Sequence, residues 1–138
     1  MSSHFEVLVD SDAFVGRFYP KDAHFERASA IFAELEEKEY RAVTTSMVVA
    51  ETATVLSHRE GQELATDFLR KIEESKLPVI HITEALQQAA TKVFVAQSKR
   101  GTSMTDCANV AVVHHFGIPT IFSFDKVYKR DFGLQMAA

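Results

Sequence analysis

The chain has 138 residues, 46% hydrophobic and 25% charged, with a formal net charge of −4. That balance excludes a disordered chain, suffices for one domain (residues 1–138) with a sizeable core, and argues against a protein that grips nucleic acid by bulk positive charge. No apolar run reaches a membrane span, Met1-Ser2-Ser3-His4 lacks the basic start and apolar core of a signal peptide, and the lone Cys107 cannot form an internal disulfide, so a cytoplasmic protein with no membrane contact is expected.

Phe5 to Val9 is short, apolar and rich in β-branched residues, which predicts a buried strand; it ends on two carboxylates, Asp10 and Asp12. Ala13 to Phe18 predicts a helical turn or two, broken by Tyr19-Pro20-Lys21-Asp22. Phe25, Ala28, Ile31, Phe32 and Leu35 recur at helical spacing as far as Lys38, with Glu34, Glu36, Glu37 and Glu39 on a solvated face. Arg41 to Thr45 can supply a strand, and Thr45 or Ser46 can cap a helix from Met47 to His58. After Gly61, Leu64, Ala65, Phe68, Leu69 and Ile72 define another amphipathic helix. Pro78 to Ile82 predicts a strand, and Thr83-Glu84 opens a helix with Leu86, Ala90, Val93 and Phe94 inward.

Ser98 to Thr102 is a basic loop. Ser103-Met104-Thr105-Asp106 resembles a capping box and starts a helix that runs to His115 and stops at Gly117. Ile118 to Phe122 is a further strand, ended by Ser123-Phe124-Asp125; the tail through Asp131-Phe132-Gly133 carries weak signals and can hold a short final strand. Alternation of this kind predicts an α/β fold, a small three-layer sandwich with a mainly parallel central sheet flanked by helices. Its crossovers place the strand carboxyl ends on one edge, where Asp10, the residues after Thr44, and Asp125 would gather.

Two further acids stand out. Glu51 lies on or beside the buried stripe of a helix with almost no polar face, and an unpaired buried carboxylate costs several kcal/mol or takes up a proton. Its ordinary reading is local exposure or pairing with an Arg. Asp106 faces inward from a helix start, where capping alone would explain it. Asp125 follows an apolar strand as Asp10 does, and Asp12 is either a helix cap or a fifth acid of a site; Asp22, Asp67 and Asp131 look like solvated surface. Four acids brought together need a cation, and an all-oxygen set suits Mg²⁺ or Mn²⁺. Such an ion activates water and stabilises the charge on a phosphate under attack, which points to phosphodiester hydrolysis.

At this point the chain resembles the PIN domain, a small metal-dependent ribonuclease fold. The resemblance rests on Val9-Asp10-Ser11, Val49-Ala50-Glu51, Thr105-Asp106-Cys107-Ala108 and Ser123-Phe124-Asp125 with Tyr128 shortly after. It implies an endoribonuclease of the kind found as toxins in VapBC-type toxin–antitoxin pairs, with an RNA substrate, a cognate antitoxin and a homodimeric assembly. It implies Asp10, Glu51, Asp106 and Asp125 as the acidic quartet, with Asp10, Asp106 and Asp125 on the metal. Glu51 would orient the ion or its water, and Ser123, with Ser11 or Thr105, would support them. Asp12 departs from the family's usual Asn, Ser or Thr. Lys99, Arg100, Lys126, Lys129 and Arg130 are candidates for a basic rim on the phosphate backbone, or ordinary surface charge.

Two rivals are carried forward. The strand followed by Asp10 and Asp12 also matches the start of haloacid-dehalogenase-type phosphatases, with Asp10 as nucleophile and Asp12 as general acid/base, although Glu51 and Asp106 are then unexplained. A PIN-like module that binds RNA or protein without cutting is the other, and the complete quartet counts against it.

Overall fold

Val7, Leu8 and Val9 are successive residues of one strand and all three are fully buried. Side chains alternate across a strand, so both faces of the sheet must be covered. The computed structural model, which describes residues 4–138, shows how; the reading of Met1 to Ser3 as the start of a chain without a signal peptide lies outside the described residues. In chain order the elements are β1 (Val7–Val9), α1 (Ser11–Phe18), α2 (Phe25–Glu37), β2 (Ala42–Thr45), α3 (Ser46–Arg59), α4 (Gln62–Ser75), β3 (Val79–Ile80), α5 (Glu84–Val95), α6 (Met104–Phe116), β4 (Thr120–Phe122), α7 (Val127–Phe132) and β5 (Gln135–Met136).

The five strands form an all-parallel sheet in the order β3-β2-β1-β4-β5. Val7 and Val9 pack on one face with Phe14, Ile31, Val48 and Phe68, from α1 to α4. Leu8 packs on the other with Val43, Val110, Ile121 and Tyr128, under α5, α6 and α7. Small residues, Ala90 against Cys107, Ala108 and Ala111, let α5 and α6 approach closely. The result is the three-layer sandwich expected from the alternation of elements.

The order reverses at β1. The chain builds outward through β2 and β3, then returns to add β4 on the opposite side of β1. In open parallel sheets that reversal leaves a crevice at the strand carboxyl ends, between the two strands where the direction switches. The edge is tightly tied: the Asp10 N–H donates to Phe122 O at 3.0 Å, and the buried Thr44 hydroxyl donates to Val9 O at 2.9 Å. Among the described residues no helix is long and apolar enough to cross a membrane.

Three expectations change. The weak tail contains α7 as well as a short strand; the Asp125 carboxylate accepts the Val127 N–H at 3.0 Å and Gly133 ends the helix in the left-handed region at φ 66°. Phe94 and Leu69, expected inward, are 44% and 42% exposed, because each lies at the margin of its helix's buried stripe rather than on it. Asp22 is not simply solvated: it accepts the His24 N–H at 2.9 Å and pairs with Arg59 at 2.6 Å, fixing the turn between α1 and α2.

Candidate active site

Asp10 is the first residue beyond β1 and the N-cap of α1, with φ −90° and ψ 168°. It is 3% exposed, and four donors converge on its carboxylate. Oδ1 accepts the Ser11 N–H at 2.8 Å and Asn109 Nδ2 at 3.0 Å; Oδ2 accepts the Ser123 hydroxyl at 2.9 Å and lies 3.0 Å from the Tyr128 hydroxyl. All four donors are neutral. Burial, followed by the charge of Asp12, pushes the Asp10 carboxyl up to about 7, against the pull of the Ser11 N–H and the Ser123 hydroxyl.

Asp106 is the third residue of α6. It closes a capping box with Ser103, each backbone N–H donating to the other's side chain at 3.0 Å. Its free oxygen, Oδ1, lies 3.0 Å from the same Tyr128 hydroxyl that contacts Asp10. Asn109, one turn further along α6 and fully buried, donates to that hydroxyl at 2.9 Å. Burial and the two carboxylates push the Tyr128 phenol far above its ordinary range, so the hydroxyl keeps its proton. The strand end, the start of α6 and the first turn of α7 therefore meet at one oxygen atom.

Asp12 has a different task. Its carboxylate accepts the Phe124 N–H at 3.0 and 3.2 Å and lies 3.2 Å from the Ser123 hydroxyl, locking the loop between β4 and α7 onto α1. Burial, as the largest cause, raises its carboxyl to about 6, with those hydrogen bonds opposing and the charge of Asp125 adding to the rise. The ring of Phe124 stacks on His24, with centroids 4.0 Å apart and planes 4° from parallel. The carboxylate is committed to a backbone amide rather than placed as the general acid that the phosphatase reading requires.

The other predicted residues are attached at one remove. Glu51 sits half-buried beside the Val48, Thr52 and Leu56 stripe of α3 and accepts the Ser11 hydroxyl, which ties it to the residue next to Asp10. Asp125 is exposed at the rim; its N–H donates to Ser123 Oγ at 3.0 Å, while its carboxylate holds α7. Thr105 is 9% exposed and makes no side-chain hydrogen bond among the described residues. Lys99, Arg100, Lys126, Lys129 and Arg130 are all exposed, and Arg130 is paired with Asp131 at 3.0 Å, so Asp131 too is more than solvated surface.

Among the described residues the acids of this crevice form no ion pair. The five ion pairs among the described residues leave out Asp10, Asp12, Glu51, Asp106 and Asp125. Among the described residues no three His, Cys, Asp or Glu side chains converge as a ready-made cage. What does converge is a pair of carboxylates, Asp10 and Asp106, sharing one hydroxyl. That donor set fits Mg²⁺ or Mn²⁺, which binds through one or two carboxylates and keeps water and substrate oxygens in its other positions. Cys107 is buried beside it, and burial, with the charge of Asp106, raises its thiol above the ordinary value.

Two members of this network are not among the sequence-predicted site residues. Asn109 interrupts the apolar run Ala108 to Val113 one turn after Asp106; a polar residue on a buried stripe is the same signal that marks Glu51. Tyr128 is visible in the sequence only as an aromatic after Asp125.

No curated protein matches the chain in sequence. Solved structures do match its fold. VapC20 of Mycobacterium tuberculosis, a toxin that cleaves the sarcin-ricin loop, is 24% identical with a TM-score of 0.81, over 92% of this chain and 95% of that one. VapBC2 of Rickettsia felis, bound to a DNA fragment from its promoter, is 15% identical with a TM-score of 0.69, over 96% and 97%. FitAcB of Neisseria gonorrhoeae is 15% identical with a TM-score of 0.65, over 94% and 95%. The family profile of the PIN domain matches residues 7–131, which contain every acid of the crevice. The chain belongs to the PIN-domain family.

Proposed function

We propose that the protein is a divalent-metal-dependent endoribonuclease, the toxin of a toxin–antitoxin pair. The observation that carries this reading is the meeting of Asp10 and Asp106 at the Tyr128 hydroxyl, without a basic partner, in the crevice where the sheet order reverses. Membership of the PIN family and the likeness in fold to VapC20 and VapBC2 support it, and they support an antitoxin as partner. A homodimer and a cytoplasmic location belong to the same reading.

Asp10 and Asp106 would hold Mg²⁺ or Mn²⁺, with Asp125 reaching it from the rim. When bound, the ion supplies an activated water and offsets charge on the phosphate under attack. The residues of the chain do the rest. Four hydrogen bonds fix Asp10 in one rotamer. Glu51, anchored through Ser11, is available to orient the attacking water. Asp12 keeps the Ser123 to Asp125 loop closed on the site. Lys99, Arg100, Lys126 and Lys129 offer exposed cations to the phosphates flanking the cut. Without the ion the same acids would repel an RNA backbone, so binding and cleavage share one requirement.

The test is incubation of the pure protein with a pool of structured RNAs in Mg²⁺ or Mn²⁺, and in chelator. Cleavage that requires the ion and is lost in Asp10→Asn and Asp106→Asn is expected. Cleavage that survives chelator, or is unchanged in both variants, would overturn the reading.

A further inference from the structure

We propose that Tyr128, steadied by Asn109, is a positioning residue that sets the separation of the Asp10 and Asp106 carboxylates and so the affinity of the site for a divalent cation. The inference rests on the metal-dependent reading above and deepens it. Asp10 directly follows β1 and Asp106 lies in the first turn of α6, 96 positions later in the chain. They arrive from different layers, and their alignment has to be imposed by something that touches both. The Tyr128 hydroxyl lies 3.0 Å from Asp10 Oδ2 and 3.0 Å from Asp106 Oδ1, which caps the separation of the two oxygens at about 6 Å.

The strut is rigid. Tyr128 is fully buried, its ring packed in the core with Leu8, Val43, Val110 and Ile121. Its carbonyl accepts the Leu134 N–H at 3.0 Å, pinning α7 beyond the helix end. Asn109 Nδ2 fixes the hydroxyl by donating to it at 2.9 Å, and to Asp10 Oδ1 at 3.0 Å. The other side of that amide, Oδ1, is buried with no hydrogen-bond partner among the described residues. An amide that leaves its acceptor unsatisfied is explained by its two donations, both into the site. A phenylalanine would fill the same core space; what the tyrosine adds is a hydroxyl whose hydrogen-bond neighbours are the two acids and Asn109.

Hydrogen-bonding partners behind ligating carboxylates typically matter about 10- to 100-fold in metal affinity. Mn²⁺ binding is therefore measured by calorimetry on the wild type, Tyr128→Phe and Asn109→Ala, with melting temperature in chelator as the control for folding. Tyr128→Phe is expected to raise the Mn²⁺ Kd by at least about tenfold while the melting temperature in chelator changes little; Asn109→Ala is expected to raise it by less. Wild-type affinity in Tyr128→Phe, or a lower melting temperature with unchanged affinity, would overturn the inference and leave Tyr128 as core. If Tyr128→Phe does not fold, unchanged affinity in Asn109→Ala overturns it instead. A wild type that does not bind Mn²⁺ removes the metal-dependent reading itself, a result distinct from these.

Discussion

Two regions of this molecule are rich in acids, and they behave in opposite ways. On and just past α2, Glu34, Glu36, Glu37 and Glu39 stand in water. Lys38 pairs with Glu34 at 2.7 Å, both side chains about half exposed, and its hydrogen bond holds the Glu34 carboxyl below its ordinary value. At the carboxyl edge of the sheet, Asp10 is buried and Asp12 half-buried, neither is in an ion pair among the described residues, and both are pushed upward. The first set has solvent to disperse its charge. The second is met by neutral donors alone, so burial pushes Asp10 and Asp12 toward their protonated forms, a cost that a bound cation would relieve.

The contrast is broken most severely at Asp12. Asp12→Ala frees the Phe124 N–H and one partner of Ser123, so the loop bearing Asp125 is no longer locked to α1. A misplacement of about 1 Å at a reacting centre can cost about 100-fold, and a loss of that order in RNA cleavage rate is expected. Glu36→Ala, on the outer face of α2, is expected to leave the rate unchanged. A wild-type rate in Asp12→Ala would mean that the loop is held by other means.

The pH dependence of stability sharpens the same comparison. In chelator, Asp10 has a carboxyl near 7 in the folded chain and near its ordinary value when unfolded. Between these values the folded state binds more protons, so stability is greatest below the unfolded value and falls as pH rises through about 7. Urea unfolding from pH 4 to 8 should show a loss on the order of a few kcal/mol from this source. Asp10→Asn should flatten the curve; an unaltered slope in that variant would assign the dependence elsewhere. The smallest effect belongs to the α2 face: Glu34→Gln removes an exposed ion pair and should leave stability nearly unchanged in the same unfolding assay.

How much of this the sequence discloses follows from how local each cause is. The order of strands and helices is legible because burial on both faces writes continuous apolar runs at Val7 to Val9 and Ile121 to Phe122, with periodic stripes between them. The cap at Thr45 and the box at Ser103 and Asp106 are local chemistry and read directly. The six residues of α7 are not legible: the helix is shorter than two turns, its N-cap Lys126 makes no side-chain cap bond, and its first N–H goes to Asp125, a residue with a second apparent role. The part played by Asp12 is hidden for another reason, since its partner is a backbone amide 112 positions away and any residue type could supply it. Asn109 carries the same sequence signal as Glu51, a polar residue on a buried stripe. Tyr128 shows in the sequence only as an aromatic after Asp125, because its hydroxyl becomes informative only when β1, α6 and α7 are brought together.

The central claim is that the edge acids, unlike those of α2, form a site for a divalent cation. The most direct measurement is the melting temperature against Mn²⁺ concentration for the wild type, Asp106→Asn and Glu34→Gln. A ligand at about 100 times its Kd stabilises a folded protein by about 2.7 kcal/mol. A saturable rise of several degrees is expected in the wild type and in Glu34→Gln, absent or much reduced in Asp106→Asn. No rise in the wild type, or an equal rise in Asp106→Asn, would contradict the claim.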